Sequence, residues 1–273
     1  MDTSILITGG DGFIASYLKL ALAEYNVYAP SKNELDVTNS LANIGKPDII
    51  FHLAANTSSQ FSLEYPVVDF RTNALGTINV LEFARKTGAR VIYPSTQKVI
   101  PNENKQMSPY GLSKKVAELA CLEWHYTYGI PVIVTRFSGL YGEGGDKFWV
   151  NHFIKRAAAN EKIEVWGDGN ASRDMLYVED AVRLLIDQME HFDDYPPFLE
   201  AGGGVKNKIT INQLLRKLNY NNVEYKSEMS GDKKELCVDN AKVTAIRGWK
   251  PEININEGIE GLIKYYDHNH RHL

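Results

Sequence analysis

Tyr110 and Lys114 lie four residues apart in Ser108-Pro-Tyr-Gly-Leu-Ser-Lys114. With Pro109 opening a helix, a position that tolerates proline, the phenol and the ammonium share one face about one turn apart. A free tyrosine ionises near pH ~10, too high for a proton carrier at neutrality. A fixed positive charge beside it stabilises the phenolate, and such a tyrosine exchanges a proton at a carbon–oxygen centre. The spacing alone equally describes an amphipathic helix with a surface lysine, so the chemistry depends on what else the chain carries.

A glycine turn supplies the next feature. Gly9-x-x-Gly12-x-x-Ala15 follows the apolar run Ile5-Leu-Ile7 and opens a helical pattern over residues 13–24. In a dinucleotide site the first glycine makes the tight turn. The second lets the backbone approach a pyrophosphate resting on the helix N-terminus, and the third position needs a small residue. Asp11 is then expected to point to solvent. Such a site carries an acid at the end of the second strand for the ribose 2′-hydroxyl. Ala29-Pro-Ser-Lys-Asn33 has no acid at the strand end. Ser31 and Lys32 suit a 2′-phosphate instead, which tilts the cofactor toward NADP; a solvated loop is the other reading.

The elements that must position these groups follow from the hydrophobic pattern. Short apolar runs at residues 5–7, 27–29, 48–53, 90–93 and 131–135 alternate with helical patterns at 13–24, 66–86 and 109–128. This predicts an α/β protein with a Rossmann-type doubly wound parallel sheet, covered on both faces. After Gly142 the rhythm changes. Helical patterns at 148–160, 178–188 and 257–266 and an extended run at 163–166 predict a smaller α/β C-terminal substrate lobe. Thr210-x-x-Gln213 reads as a capping box, and Gly248 as a helix end. Residues 1–142 form the expected dinucleotide-binding core, which also receives about 174–195, and 143–273 mainly the lobe. Gly202-Gly-Gly-Val-Lys206 lacks the spacing of a phosphate-binding P-loop and reads as a turn.

Composition excludes several classes. The chain has 273 residues, 44% hydrophobic and 23% charged, with a net charge of −4. No basic block points to nucleic acid. Cys121 and Cys237 stand far apart, in no metal-ligand spacing, which leaves neither a disulfide framework nor a metal site to expect. No apolar run reaches membrane-spanning length and no signal peptide is apparent, so a cytoplasmic protein is expected. The histidines of Asp267-His-Asn-His-Arg-His272 read as a frayed polar tail rather than a metal site.

Taken together, these motifs resemble the extended short-chain dehydrogenase/reductases, the NAD-dependent epimerase/dehydratase family that acts on nucleotide sugars. The resemblance runs over essentially the whole chain. It rests on Thr8-Gly-Gly-x-Gly-Phe-Ile14, Leu35-Asp-Val37, Phe51-His-Leu-Ala-Ala55, Asn73 in Asn-Ala-Leu-Gly-Thr77, Ser95-Thr96 and Tyr110 with Lys114. Arg136-Phe-Ser-Gly-Leu-Tyr-Gly142, Val165-Trp-Gly-Asp-Gly169 and Arg173-Asp-Met-Leu-Tyr-Val178 complete it.

The resemblance implies an NAD or NADP site formed by Gly9, Gly12, Phe13, Ile14, Ser31, Lys32, Asp36, Val37, Leu53, Ala54, Ala55 and Asn73. Tyr110 would be the acid/base, and Lys114 would hold the nicotinamide ribose and lower the tyrosine pKa. Thr96 would bind the reacting sugar oxygen. Arg173 would contact the diphosphate of a nucleotide-diphosphate sugar, and Val165 and Trp166 would line the nucleobase pocket, with core packing the other reading of Trp166. Helices 66–86 and 109–128 resemble the pair that forms a homodimer interface in this family.

Departures from the family narrow the activity. The family's 4,6-dehydratases carry Asp-Glu after the threonine, where this chain has Gln97-Lys98, and an amide is no carboxylic acid. Thr96 and Tyr110 are 14 positions apart, shorter than is usual. Gly139 stands where an asparagine commonly faces the diphosphate. The brief link from Ala29 to Glu34-Leu-Asp36 resembles 4-keto sugar reductases. The leading expectation is therefore a 4-keto sugar reductase using NADPH; the alternative is a C4 epimerase with retained NAD, and the third a non-catalytic dinucleotide sensor.

Overall fold

The computed structural model describes residues 3–41, 44–227 and 235–270. In chain order come β1 (Ser4–Thr8), α1 (Phe13–Ala21), β2 (Asn26–Tyr28), β3 (Ile49–His52), α2 (Ser59–Glu64), α3 (Pro66–Phe70), α4 (Gly76–Thr87), β4 (Arg90–Thr96), α5 (Pro109–Tyr128) and β5 (Val132–Phe137). There follow β6 (Gly139–Tyr141), α6 (Trp149–Ala158), β7 (Ile163–Trp166), β8 (Ser172–Tyr177), α7 (Val178–Glu190), β9 (Phe198–Ala201) and β10 (Lys208–Thr210). The last are α8 (Ile211–Lys217), β11 (Val223–Lys226), β12 (Glu235–Leu236), α9 (Ala241–Arg247) and α10 (Ile255–His270). One compact unit comprises Met1–Ile100, Met107–Arg136 and Val182–Leu199; the other comprises Pro101–Gln106, Phe137–Ala181 and Glu200–Leu273.

The first unit is built on a six-stranded sheet in the order β2-β1-β3-β4-β5-β9. β1 pairs in parallel with β2 and β3, and β3 with β4. All of β3 is buried, as a strand covered on both faces must be. The strand order reverses at β1, and ligands of such sheets bind outside the carboxyl ends at that switch point. The glycine turn, residues 53–55 and Thr96 sit at the carboxyl ends of β1, β3 and β4. Leu6, Ile50, Leu81, Tyr93, Ala117 and Cys121 belong to the core that joins sheet to helices. Each large apolar side chain buried there contributes roughly 1.5–3 kcal/mol.

The helix predicted over 66–86 is interrupted. α3 runs into a π-helical turn, Arg71–Leu75, before α4 begins, and the short α2 precedes both. A π turn holds one extra residue. Gly76 then lies on Val37, where a Cβ would come 2.7 Å from Val37 Cγ2. α5 has the predicted bounds: Ser108 Oγ accepts from Gly111 N at 3.1 Å, Pro109 takes the first position, and Gly129 closes it at φ 69°.

In the second unit, β10, β8 and β12 form a sheet in that order, with β6 also on β8, and β7 pairs with β11. The Thr210–Gln213 capping box is present and starts α8. A Cβ on Gly139 would meet Met175 Sδ at 2.8 Å, which explains a glycine there. The N–H groups of Gly202, Gly203 and Gly204 donate to Asn240 Oδ1, Ser138 Oγ and Asp174 Oδ2, so this segment is an internally bonded turn. α10 runs to His270, where a frayed tail from Asp267 was expected; the end of that tail, 271–273, lies outside the described residues. No helix of the described residues is long and apolar enough to cross a membrane.

Candidate active site

Tyr110 is the second residue of α5 and Thr96 the last of β4. Gly111 lets them meet: a Cβ there would stand 2.3 Å from the Lys98 carbonyl oxygen, so only glycine lets the first turn of α5 approach so closely. Thr96 Oγ1 accepts from Lys98 N at 3.2 Å, which leaves its own proton for the Tyr110 phenol, to which it is hydrogen-bonded. Lys114 lies one turn further on, and both side chains are buried.

The electrostatics differ from the sequence expectation. Burial pushes the Tyr110 phenol above its ordinary value, and the Thr96 hydrogen bond offsets this only in part. The Lys114 ammonium donates to Pro94 O at 3.0 Å and lies 4.1 Å from the Tyr93 ring centroid. Its charge is engaged there instead of lowering the phenol. Burial pushes Lys114 down to about 8.

The glycine turn packs against the loop after β3. Gly9 has φ 71°, and a Cβ on it would meet Ala54 Cα at 2.8 Å and Ala54 N at 2.9 Å. Gly12 N donates to Gly9 O at 2.8 Å, Asp11 is exposed, and Phe13 and Ile14 start α1. Thr8 Oγ1 accepts from Leu53 N and Ala54 N, both at 3.1 Å, and therefore donates to His52 Nδ1 at 2.8 Å. His52 Nε2–H then donates to Thr77 Oγ1 at 3.0 Å, and Thr77 to Asn73 O at 2.6 Å. Burial holds this imidazole neutral, near 3. The chain of bonds ties β1, β3 and α4 together and presents Leu53, Ala54 and Ala55 beside the turn.

The remaining predicted cofactor residues take distinct places. Buried Asn73 accepts from Asn56 N at 2.8 Å through Oδ1 and donates to Asn56 O at 3.1 Å. Asp36 Oδ1 accepts from Thr38 N, which holds its carboxyl below the usual range, and Val37 is buried. Lys32 is exposed. Ser31 departs from expectation: its N–H and Oγ–H both donate to Glu34 Oε2 at 2.8 Å. The Ser31 donors assigned to a 2′-phosphate are thus held by a carboxylate, while the Lys32 side chain is exposed. Gly10 N, bonded to Pro30 O at 2.9 Å, keeps this segment against the glycine turn.

In the second unit, strand alternation separates two residues predicted to share a pocket. Val165 is fully buried, while Trp166 is 43% exposed with Lys226 Nζ 5.8 Å from its ring centroid. Adjacent strand residues face opposite ways, so Val165 belongs to the core and Trp166 alone remains open to a ligand. Arg173 is half-buried, with Nη1 donating to Ser172 O at 2.8 Å. Sequence reasoning assigned no role to His52, Thr77, Glu34, Asp69 or Ser113; Ser31-x-x-Glu34 was readable as a capping pattern.

The family model described as the NAD dependent epimerase/dehydratase family matches residues 5–199. A UDP-glucuronate 4-epimerase of Thermodesulfobacterium geofontis is 30% identical over 258 residues, covering 86% of this chain and 79% of the relative. UDP-glucuronic acid decarboxylase 6 of Arabidopsis thaliana is 30% identical, with 93% and 86% covered. The solved UDP-glucose 4-epimerase of Thermotoga maritima, with UDP-glucose, is 26% identical at a TM-score of 0.81, with 98% and 99% covered.

Proposed function

The chain belongs to the NAD-dependent epimerase/dehydratase family, as one of its enzymes, and we propose that it is a nucleotide-sugar 4-epimerase that retains NAD. The observation that carries this reading is the Thr96–Tyr110–Lys114 set, with Tyr110 and Lys114 buried, Thr96 half-buried and the amide Gln97 beside them instead of a carboxylic acid. The 4-epimerases among its relatives favour this reading over the reductase that sequence alone put first.

The cradle fits a dinucleotide. Gly9 makes a tight turn at φ 71° packed on Ala54, and Gly12 caps α1, whose N-terminus is where a pyrophosphate would rest. NAD supplies, when bound, the acceptor and donor of hydride at the sugar C4. As the phenolate, Tyr110 would take the C4 hydroxyl proton as the carbinol is oxidised, and as the phenol it would return that proton as the carbonyl is reduced from the other face. Thr96 holds the same sugar oxygen and the phenol. Lys114, one turn further along α5, would hold the nicotinamide ribose. Gln97 offers no acid to expel water, so the sugar keeps its hydroxyls.

Glu34 favours NAD over NADP. Its carboxylate on Ser31 places negative charge where a 2′-phosphate would sit, and like charges repel. A second copy of the chain is the proposed partner, covering the apolar residues that α3, the π turn and α5 leave exposed.

The test is incubation of purified protein with UDP-glucose or UDP-glucuronate without added cofactor, followed by proton NMR of the sugar. The expected result is inversion at C4, with NAD released on denaturation. Loss of carbon dioxide from UDP-glucuronate would indicate a decarboxylase instead. Net consumption of added NADPH with a 4-keto sugar would restore the reductase. No turnover with any of these would leave the sensor reading.

A further inference from the structure

A buried carboxylate that the proton chemistry leaves unused stands beside the reacting pair. Asp69 of α3 has no exposed surface. Its Oδ2 accepts from the Ser113 hydroxyl and its Oδ1 from Asn73 Nδ2 at 3.2 Å. Asn73 Nδ2 also reaches Ser113 Oγ at 3.0 Å, and the same amide clamps both backbone groups of Asn56. Asn56 directly follows the loop whose Ala54 packs on Gly9. Ser113 lies between Tyr110 and Lys114, with its Oγ 3.0 Å from the Tyr110 carbonyl. The loop after β3, the π turn and the first turn of α5 therefore meet at one carboxylate.

Both hydrogen-bond partners of Asp69 are neutral. A carboxylate accepts at both oxygens where an asparagine could accept at only one, although a buried charge without a contacting counter-charge is costly. The carboxylate also brings a charge that acts on other charges. Those that face it are on α5, the Lys114 ammonium and the Tyr110 phenol; burial pushes the Asp69 carboxyl up, and its Ser113 and Asn73 hydrogen bonds and then Lys114 offset this in part. Lys114 itself is faced by Asp69, by Glu118 and Cys121 of its own helix, by neutral His52 of β3 and by the Tyr93 ring of β4.

We propose that Asp69 is a positioning residue for the reacting pair: its carboxylate locks Ser113 and Asn73 together and sets a buried negative charge against Lys114 and Tyr110. That charge favours the ammonium and disfavours the phenolate, so it holds both groups protonated to higher pH. Asp69→Asn keeps the shape and removes the charge.

The proposal rests on the reading of Tyr110 and Lys114 as the reacting pair, but its test needs no turnover. Lysine side-chain Cε shifts of the full chain, labelled with carbon-13 lysine, are followed by NMR against pH, and Lys114→Met identifies the resonance. The Lys114 midpoint is expected to fall by about half a pH unit or more in Asp69→Asn. An unmoved midpoint in the folded variant overturns the proposal. Should Asp69→Asn fail to fold, Asp69→Ser removes the same charge and reads the same midpoint. Absence of C4 inversion in the unsubstituted protein would remove the functional reading and leave the Lys114 midpoint, and so the role of Asp69, to be decided separately.

Discussion

Lys114 shows how a reacting group is kept at the expense of stability. Burial holds it near 8, below the 10.5 of a free lysine. Between those values the unfolded chain binds more protons than the folded one, so stability rises with pH across that window. Below about pH 8 the full penalty for the buried ammonium is present. Lys114→Met should therefore raise stability at pH 7 by about 1–3 kcal/mol while abolishing turnover, and the gain should shrink toward pH 10. Denaturant titrations at the two pH values measure this; equal gains would contradict it. Glu34 offers the complementary case of an exposed charge. Glu34→Gln should tighten NADP binding by about threefold or more relative to NAD, less so in high salt, as titration calorimetry would show.

The placement of Tyr110 depends on how β4 meets α5. Gly111→Ala would drive a Cβ into the Lys98 carbonyl, push the first turn of α5 outward and separate Tyr110 from Thr96. We expect a loss of about 1–3 kcal/mol in stability and a fall in kcat larger than the change in KM, measured by steady-state kinetics and denaturant midpoint. The bounds of α5 were legible because Ser108, Pro109 and Gly129 act through the backbone next to them. The π turn was not. One extra residue leaves the apolar spacing of 66–86 nearly intact, and the Asn73 side chain that exploits the turn bonds to Asn56, remote from it in sequence.

The proposed assembly rests on a surface of the first unit. Val67 and Leu75, just before α4, and Leu119 and Tyr126 of α5 are 69%, 43%, 55% and 71% exposed. If a second copy covers this surface, Leu119→Arg should halve the mass seen in sedimentation equilibrium without unfolding the chain; an unchanged mass would place any dimer elsewhere. The sequence by itself determined the alternation of strands and helices, the glycine turn, the capped ends of α5 and α8 and the one-turn spacing of Tyr110 and Lys114. These follow from backbone sterics and helical period, which act between near neighbours. Only the tertiary structure decided that the Lys114 charge turns to Pro94 and Tyr93, that the buried face of 163–166 takes Val165 and leaves Trp166 open, and that Asp69 stands behind the pair. Burial and charge depend on groups folded in from other elements, and the 44 positions between Asp69 and Ser113 leave no period to read.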